Sequence, residues 1–533
     1  MRKARSIIEN GEAVLGIEFG STRIKAVLID NIGTILATGI FDWENHLKQG
    51  IWIYHQDEIW SGLQSAYLNL SDNVKEKYQI NIENLSAIGI SAMMHGYLPF
   101  NNKGKQLVDF RTWRNNITQE ASKKLTTLFQ YNIPQRWSIA HLYQAILNNE
   151  VHLNEIDYIT TLSGYIHWKL TNQKVLGIGD ASGMFPIDIK KQSYDENMLN
   201  LFEEYISNKK YPWKIKEILP KVLVAGDIAG RLTEEGAKLL DPSGKLHSNI
   251  PFCPPEGDAG TGMVATNSIK EKTGNISAGT SAFTMIVLKD QLSKVYEELD
   301  MVTTPTGKLV AMAHSNNCTS DINAWISLFG ECLQQFGVNI YSEELYEALF
   351  LQALKGDNNC GNLLSYGFYS GEHNLGLTSG CPIFIHPTNS HFNLSNFMRS
   401  HIYSAFAAMK LGIDILQKQE NVNIDRIFGH GGIFKTAGVA QKILASALNT
   451  PIATMNTAGE GGAWGIALLA NYINENRVSL EYYLDNKIFT NTDISVMQPD
   501  KALIQGYEDY MNRYRKNLPI IKKAVELNQL NYN

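Results

Sequence analysis

The sequence predicts an α/β fold of two related domains facing one cleft, and three features carry that reading. Two segments of one design, Gly16-Ile17-Glu18-Phe19-Gly20-Ser21-Thr22 and Asn275-Ile276-Ser277-Ala278-Gly279-Thr280-Ser281, each run a short apolar strand into a Gly-Ser/Thr turn. Each then returns to apolar residues, Ala26-Val27-Leu28-Ile29 in the first and Met285-Ile286-Val287-Leu288 in the second. The third feature, Glu256-Gly257-Asp258-Ala259-Gly260, holds a carboxylate between glycines just ahead of the second turn. A chain of 533 residues is too long for one core, so two large domains are expected.

The opening predicts a meander: a strand over 14–19, another over 24–29, an Asn31-Ile32-Gly33 turn, then a strand over 34–40. Residues 57–70 (DEIWSGLQSAYLNL) predict an amphipathic helix with an acidic first turn. An apolar strand over 85–91 delivers Met93-Met94-His95-Gly96 to its end, and helix and loop then alternate to about residue 250. The second half repeats the theme, with strands over 274–278 and 282–288 around the 279–281 turn. A long helix is predicted over 396–419, a strand over 424–428 feeding Gly429-His430-Gly431-Gly432, and a helix over 439–448. Gly459-Glu460-Gly461-Gly462-Ala463-Trp464-Gly465 opens the last apolar helix of the core, 466–472. The chain divides at 1–262 and 263–533.

A Gly-Ser/Thr turn presents backbone N–H groups and hydroxyls with no side-chain bulk before them, which suits phosphate oxygens. Two such turns and one carboxylate point to a phosphotransferase. Composition is that of a globular protein, 44% hydrophobic and 19% charged. The net charge of −6 offers no basic surface, so neither nucleic acid nor an anionic membrane is expected as a partner. Five cysteines (Cys253, Cys318, Cys332, Cys360, Cys381) without a CxxC pair fit reduced thiols. The basic start, Met1 to Ser6, leads into no apolar h-region, and no apolar run nears the roughly 20 residues of a membrane span. A cytoplasmic enzyme is expected, with a homodimer as an allowed assembly.

Six motifs in register resemble the FGGY carbohydrate kinase family of the actin-like ATPase superfamily. They are GIEFGSTRIKAVLID (16–30), GISAMMHG (89–96), GDAGTG (257–262), SAGTSAF (277–283), GHGG (429–432) and AGEGGAWGIALLA (458–470). The resemblance spans nearly the whole chain. It implies two ribonuclease-H-like domains, the first (1–262) holding sugar and phosphate and the second (263–533) the nucleotide, with an interdomain catalytic cleft in which the γ-phosphate of ATP passes to a sugar or polyol hydroxyl with Mg²⁺ present.

The resemblance then assigns roles by position. Asp258 becomes the general base, because a hydroxyl nucleophile needs a carboxylate to take its proton; it is also placed on the sugar and the metal. Gly20, Ser21, Thr22 and Lys25 hold the β/γ-phosphates, and Gly279, Thr280 and Ser281 form the second clamp. Glu18 stands where the family usually carries Asp, near Mg²⁺. That ion wants oxygen ligands and keeps several waters, so a longer carboxylate can serve. Gly431 and Gly432 resemble the adenosine-binding turn. GHGGIFKT (429–436) nearly matches a P-loop, with Phe434 where the second glycine belongs, and is assigned to adenine and ribose. Gly459 to Gly462 complete the nucleotide pocket or make a packing turn, and Gln441 reads as a surface helix residue.

Met94, His95, Trp113, Arg114 and Asn115 fall where the family places its sugar contacts. Trp113 offers an apolar platform; His95, Arg114 and Asn115 offer hydrogen bonds. Ser320-Asp321-Ile322-Asn323-Ala324-Trp325 and Trp113-Arg114-Asn115-Asn116 resemble stretches of L-ribulokinases, while Met-His-Gly resembles xylulokinases. A ketopentose, L-ribulose or xylulose-like, is the expected acceptor. Arg136 and His141 fit neither subgroup and serve either specificity or a packed lid base. The alternative is a relative that hydrolyses ATP or binds sugar without phosphorylating it; Glu18 favours it, and Asp258, Thr280 and Lys25 oppose it.

Overall fold

The apolar run from Val14 to Ile29 folds back at Gly20-Ser21-Thr22, pairing β1 (Val14–Phe19) with β2 (Arg23–Ile29) as an antiparallel hairpin. β3 (Ile35–Asp42) continues antiparallel beyond β2. Helix α1 (Gln56–Tyr78) carries the chain to β4 (Ala87–Ala92), which pairs with β1 in parallel and is buried along its whole length. A parallel strand covered on both faces needs such continuous apolar or small residues. Short strands β5 (Gly230–Arg231), β6 (Pro251–Phe252) and β7 (Glu256–Gly257) complete this first sheet.

The second sheet is built by β8 (Thr273–Ala278), β9 (Ala282–Val287), β10 (Asp300–Thr303), β11 (Leu309–Ser315), β12 (Arg426–His430), β13 (Ile452–Met455) and β14 (Ile494–Met497). Its order is β10-β11-β9-β8-β12-β13-β14. In both sheets the strand entering the Gly-Ser/Thr turn has an antiparallel hairpin partner on one side and a parallel strand on the other. The order β3-β2-β1-β4-β6 of the first sheet is repeated by β11-β9-β8-β12-β13 of the second. The chain is thus a duplicated α/β unit, the two ribonuclease-H-like domains that the resemblance implies. This computed structural model describes residues 2–372, 375–455 and 461–529.

The helices that matter below are α2 (Ser138–Leu147), α3 (Ile178–Ala181), α4 (Asp258–Ala265), α5 (Ser320–Gln335), α6 (Leu394–Asp414), α7 (Val439–Leu448), α8 (Gly461–Tyr472) and α9 (Lys501–Gln529). α6 ends earlier than the sequence suggests and continues as one wider turn over Ile415–Gln419. α8 is buried on every face from Gly462 to Tyr472 and therefore needs cover all round. It finds that cover on β1, β4 and α4 of the first lobe, where Trp464, Ile466 and Leu468 join Val14 and Val27 in one core. α8 also packs within its own half, with Trp464 edge-on to Phe489 and Tyr472 against Tyr483, so it bridges a division at 1–262 and 263–533. The second lobe has its own core around α6, α7 and Tyr507, Tyr510 and Tyr514 of α9.

The block Ser320 to Trp325 opens α5 and serves this second core. Asp321 Oδ2 meets His401 Nδ1 at 2.7 Å, and the Trp325 ring stands edge-on to Phe397 at 5.0 Å. Gln441 is buried, contrary to its reading as a surface residue. Its Nε2 donates to Ile452 O and Ser495 O, both at 2.9 Å, and so ties α7 to β13 and to β14. All five cysteines are free thiols. No helix among the described residues is long and apolar enough to cross a membrane.

Glu372 gives the second lobe a pH-dependent stability. Its Oε2 accepts from Ser315 Oγ (2.9 Å), Asn316 N (3.0 Å) and Asn317 Nδ2 (3.2 Å). Burial outweighs these bonds and pushes the carboxyl from 4.5 up to about 7. A carboxyl that is harder to ionise folded than unfolded favours the folded state when protonated. Its contribution is complete below pH 4.5 and is lost as the pH rises through about 7. Glu372→Gln, whose amide oxygen can take the same three donors, should flatten the fall of Tm across that window. An unchanged slope would place the titration elsewhere.

Candidate active site

Three parallel strands end side by side and aim their residues at one point. Glu18 of β1 lies opposite Ser91 of β4, and Ser91 lies opposite Glu256 of β7. In open α/β sheets ligands bind beyond such carboxyl ends. Asp258 follows at once as the first residue of α4. Its Oδ1 accepts from Met94 N at 3.1 Å and from Ala259 N at 2.9 Å, so the start of α4 and the Met94-His95 loop are fastened together. Burial pushes the Asp258 carboxyl up to about 6, against the pull of these N–H groups.

Glu18 is pushed up to about 7, first by burial and then by the charge of Asp258. The Ala463 N–H, 3.2 Å from Glu18 Oε2, and the facing Lys25 of β2 oppose that rise. The first turn of α8 thus helps hold Glu18, and Ser91 Oγ meets Thr261 Oγ1 of α4 at 3.1 Å beneath it. Residues 456–460, including Gly459 of the predicted nucleotide pocket, lie outside the described residues.

Both Gly-Ser/Thr turns are tied down through their carbonyls. Gly20 O accepts from the Trp43 indole (2.7 Å), Ser21 O from the Tyr54 hydroxyl (2.6 Å) and Thr22 O from Trp43 N (3.1 Å). The Trp43 and Tyr54 rings stack at 4.1 Å as a floor under the turn. In the second turn Gly279 O accepts from Thr319 N (3.1 Å) and Thr319 Oγ1 (2.8 Å), and Thr280 O from Cys318 N (2.9 Å). With the carbonyls directed into the protein, Thr22 and Thr280 remain exposed. That polarity suits an anion.

Gly431 has φ +105°, and a Cβ there would lie 2.3 Å from Ala278 O, so the predicted adenosine turn packs directly beside the second Gly-Thr-Ser turn. Only one short 3₁₀ turn, Gly432–Phe434, follows, and the Phe434 ring fills the space over Gly429. A P-loop would need a helix opening there to cradle phosphates; this segment lacks one.

The residues predicted for the sugar separate into two groups. Met94 and His95 are at the site. The Met94 side chain leaves Gly257 no room for a Cβ, which would come 2.1 Å from Met94 Cγ. His95 takes a positive φ of 71° and sets its Nδ1 3.2 Å from Gly183 O. Backbone held in that region by a buried histidine is stored strain of the kind found at functional sites. Burial keeps the ring neutral, well below its usual pKa.

The other three have partners within the first lobe. Trp113 is half-buried against the first-lobe core. Arg114 lies over the Trp52 ring at 3.9 Å, with its NH1 on Asn45 Oδ1 at 3.0 Å, near the Tyr54 that floors the first Gly-Ser-Thr turn. Asn115 spends its amide on backbone: Oδ1 accepts from Trp52 N at 2.7 Å, and Nδ2 donates to Trp52 O and Thr112 O at 2.8 and 3.0 Å. It is a pin for the chain, with no donor left to offer a sugar. His141 is fully buried, its ring against Tyr97 at 6.2 Å, and burial drives its pKa to about 3.

Two carboxyls behind Asp258 escaped the sequence reading. Glu256 accepts from Gly179 N (3.3 Å) and Asp180 N (2.9 Å), and Asp180 Oδ2 accepts from the hydroxyls of Thr161 (2.7 Å) and Ser163 (2.5 Å). Burial pushes Glu256 up to about 8 and Asp180 to about 7. The GIGDASG sequence at 177–183, an Asp flanked by glycines after an apolar strand, was the available signal.

With the geometry established, known proteins give it a lineage. The N-terminal domain of the FGGY family of carbohydrate kinases matches residues 13–265 and its C-terminal domain residues 274–473. A xylulose kinase of Lactococcus lactis is 20% identical over 529 residues, covering 97% of this chain and 99% of its own. Among solved structures, a ligand-bound xylulose kinase from Lactobacillus acidophilus superposes with a TM-score of 0.77 at 17% identity, covering 95% of this chain and 97% of that one. A gluconate kinase from the same organism superposes equally well, with a TM-score of 0.78 at 17% identity and coverage of 96% and 98%. Two family domains in order along most of the length, on a duplicated fold with paired Gly-Ser/Thr turns, leave one conclusion: this chain belongs to the FGGY family of carbohydrate kinases.

Proposed function

We propose that the protein is an ATP-dependent kinase of a ketopentose, transferring the γ-phosphate of ATP to a sugar hydroxyl with Mg²⁺. The observation that carries this is the fastening of Asp258 to the Met94 N–H. One hydrogen bond joins the base to the loop that meets the sugar, between two turns built for phosphate. Ketopentose as the acceptor is supported by the Met94-His95-Gly96 sequence and by the full-length likeness to a xylulose kinase.

Phosphoryl transfer asks mainly for positioning and charge neutralisation. Asp258 accepts the hydroxyl proton during attack; with its pKa at about 6 it is largely ionised at neutral pH. The N–H groups and hydroxyls of residues 20–22 and 279–281 hold the phosphates, and Lys25 offsets their charge. Among the described residues no three His, Cys, Asp or Glu form a metal cage. Glu18 and Asp258 fit Mg²⁺ all the same, since that ion is commonly held by one or two carboxylates plus phosphate oxygens and water. A cytoplasmic location is part of the same proposal.

The test is ADP release measured against L-ribulose, D-ribulose, D-xylulose, L-xylulose, L-fuculose, gluconate and glycerol. Strong release with one ketopentose supports the reading. Release that ignores every acceptor would make the protein an ATPase, and release with gluconate or glycerol alone would remove the ketopentose.

A further inference from the structure

The Met94-His95 loop hangs on the start of α2. Gly96 N donates to Arg136 O at 3.1 Å, Ser138 Oγ donates to Gly96 O at 2.6 Å, and the His95 and Trp137 rings lie nearly parallel with centroids 6.5 Å apart. From there Arg136 crosses to the second lobe, where its guanidinium pairs with Asp300 of β10, the edge strand of the second sheet. The side chains are 20% and 9% exposed. Asn132 Nδ2 adds bonds to Leu299 O (3.0 Å) and Asp300 Oδ1 (3.2 Å), and Tyr131 OH adds one to Met301 O (2.9 Å). At the other end of β10, Thr303 N donates to Ser182 Oγ and Thr303 Oγ1 donates to Ile178 O, both at 3.0 Å. Next to Ser182 is Gly183, whose carbonyl faces His95. Both attachments of β10 therefore lead back to the sugar loop.

We propose that Arg136 is a positioning residue whose ion pair with Asp300 fixes the sugar loop relative to the lobe carrying the second phosphate turn. This inference rests on the kinase reading above. A buried ion pair adds little net stability, but losing one partner leaves the other charge uncompensated, so its geometry is enforced. In a reaction governed by placement, a small misalignment of acceptor and donor costs rate. A loosened cleft also admits water, which then competes with the sugar for the phosphoryl group.

The experiment is a double-mutant cycle with Arg136→Met, Asp300→Asn and both together, with Arg136→Lys as the conservative variant. Each single change should lower kcat on the order of tenfold, with sugar KM moving less. Sugar phosphate formed per ADP should fall below one. The double variant should be no worse than the poorer single, and Arg136→Lys should recover part of both readouts. Losses that multiply in the double variant would overturn the inference. So would a raised KM in Arg136→Met beside a silent Asp300→Asn, which would put Arg136 on the sugar itself. If the wild type releases no ADP in response to any sugar, the kinase reading fails separately. Small-angle scattering with ADP then still decides the inference: expansion in each single, no further in the double, supports it, and unchanged profiles overturn it.

Discussion

Asp258→Asn should cut sugar-dependent ADP release by about 10²- to 10⁴-fold, the usual worth of a positioned general base. Asparagine preserves the shape of the side chain and an oxygen for Met94 N and Ala259 N, so the loops at 3.1 and 2.9 Å from it stay in place. ADP affinity and Tm should therefore stay close to wild type, which separates lost chemistry from lost folding. The wild-type pH profile gives a second reading of the same residue. A base must be ionised to accept a proton, so kcat/KM should rise with pH through about 6 and then level. Near-normal turnover by the asparagine variant would remove Asp258 from the role.

The architecture was legible because both hairpins announce themselves. Gly-Ser/Thr turns between β-branched runs can hardly be anything else, and the two copies predicted the duplication that the strand orders display. The helix over 439–448 was read to the residue, since glycine before it and Asn-Thr-Pro after it bound the apolar run. What could not be read depends on pairings distant in sequence. Apolar residues on every face told that 466–472 is a buried helix, but nothing local told that it starts at Gly461 or that it packs against β1. Asn115 has the chemistry of a sugar contact until Trp52, 63 residues away, takes its amide. The Arg136–Asp300 pair joins residues 164 apart, and Glu256 finds Asp180 across 76. Polar residues advertise hydrogen-bonding capacity in sequence; only the fold shows which partner has already used it.

Glu18→Ala should raise the Mg²⁺ concentration needed for half-maximal activity by about 10- to 100-fold, the range seen when a group that orients a metal site is removed. The side chain stands opposite Lys25 and beside Asp258, held by the Ala463 N–H at 3.2 Å. Its raised pKa of about 7 says that the folded protein holds this carboxylate reluctantly charged. A bound cation would relieve that strain, so ionisation and Mg²⁺ binding should reinforce each other, and the wild-type Mg²⁺ requirement should fall as pH rises through about 7. In the alanine variant the pH dependence of that requirement should weaken along with the affinity. Glu18→Asp, which restores the family's usual residue, should retain most of the activity if a shorter carboxylate reaches the same ion. An unchanged Mg²⁺ titration in Glu18→Ala would take Glu18 off the metal and leave it as a partner of Lys25 and the first turn of α8.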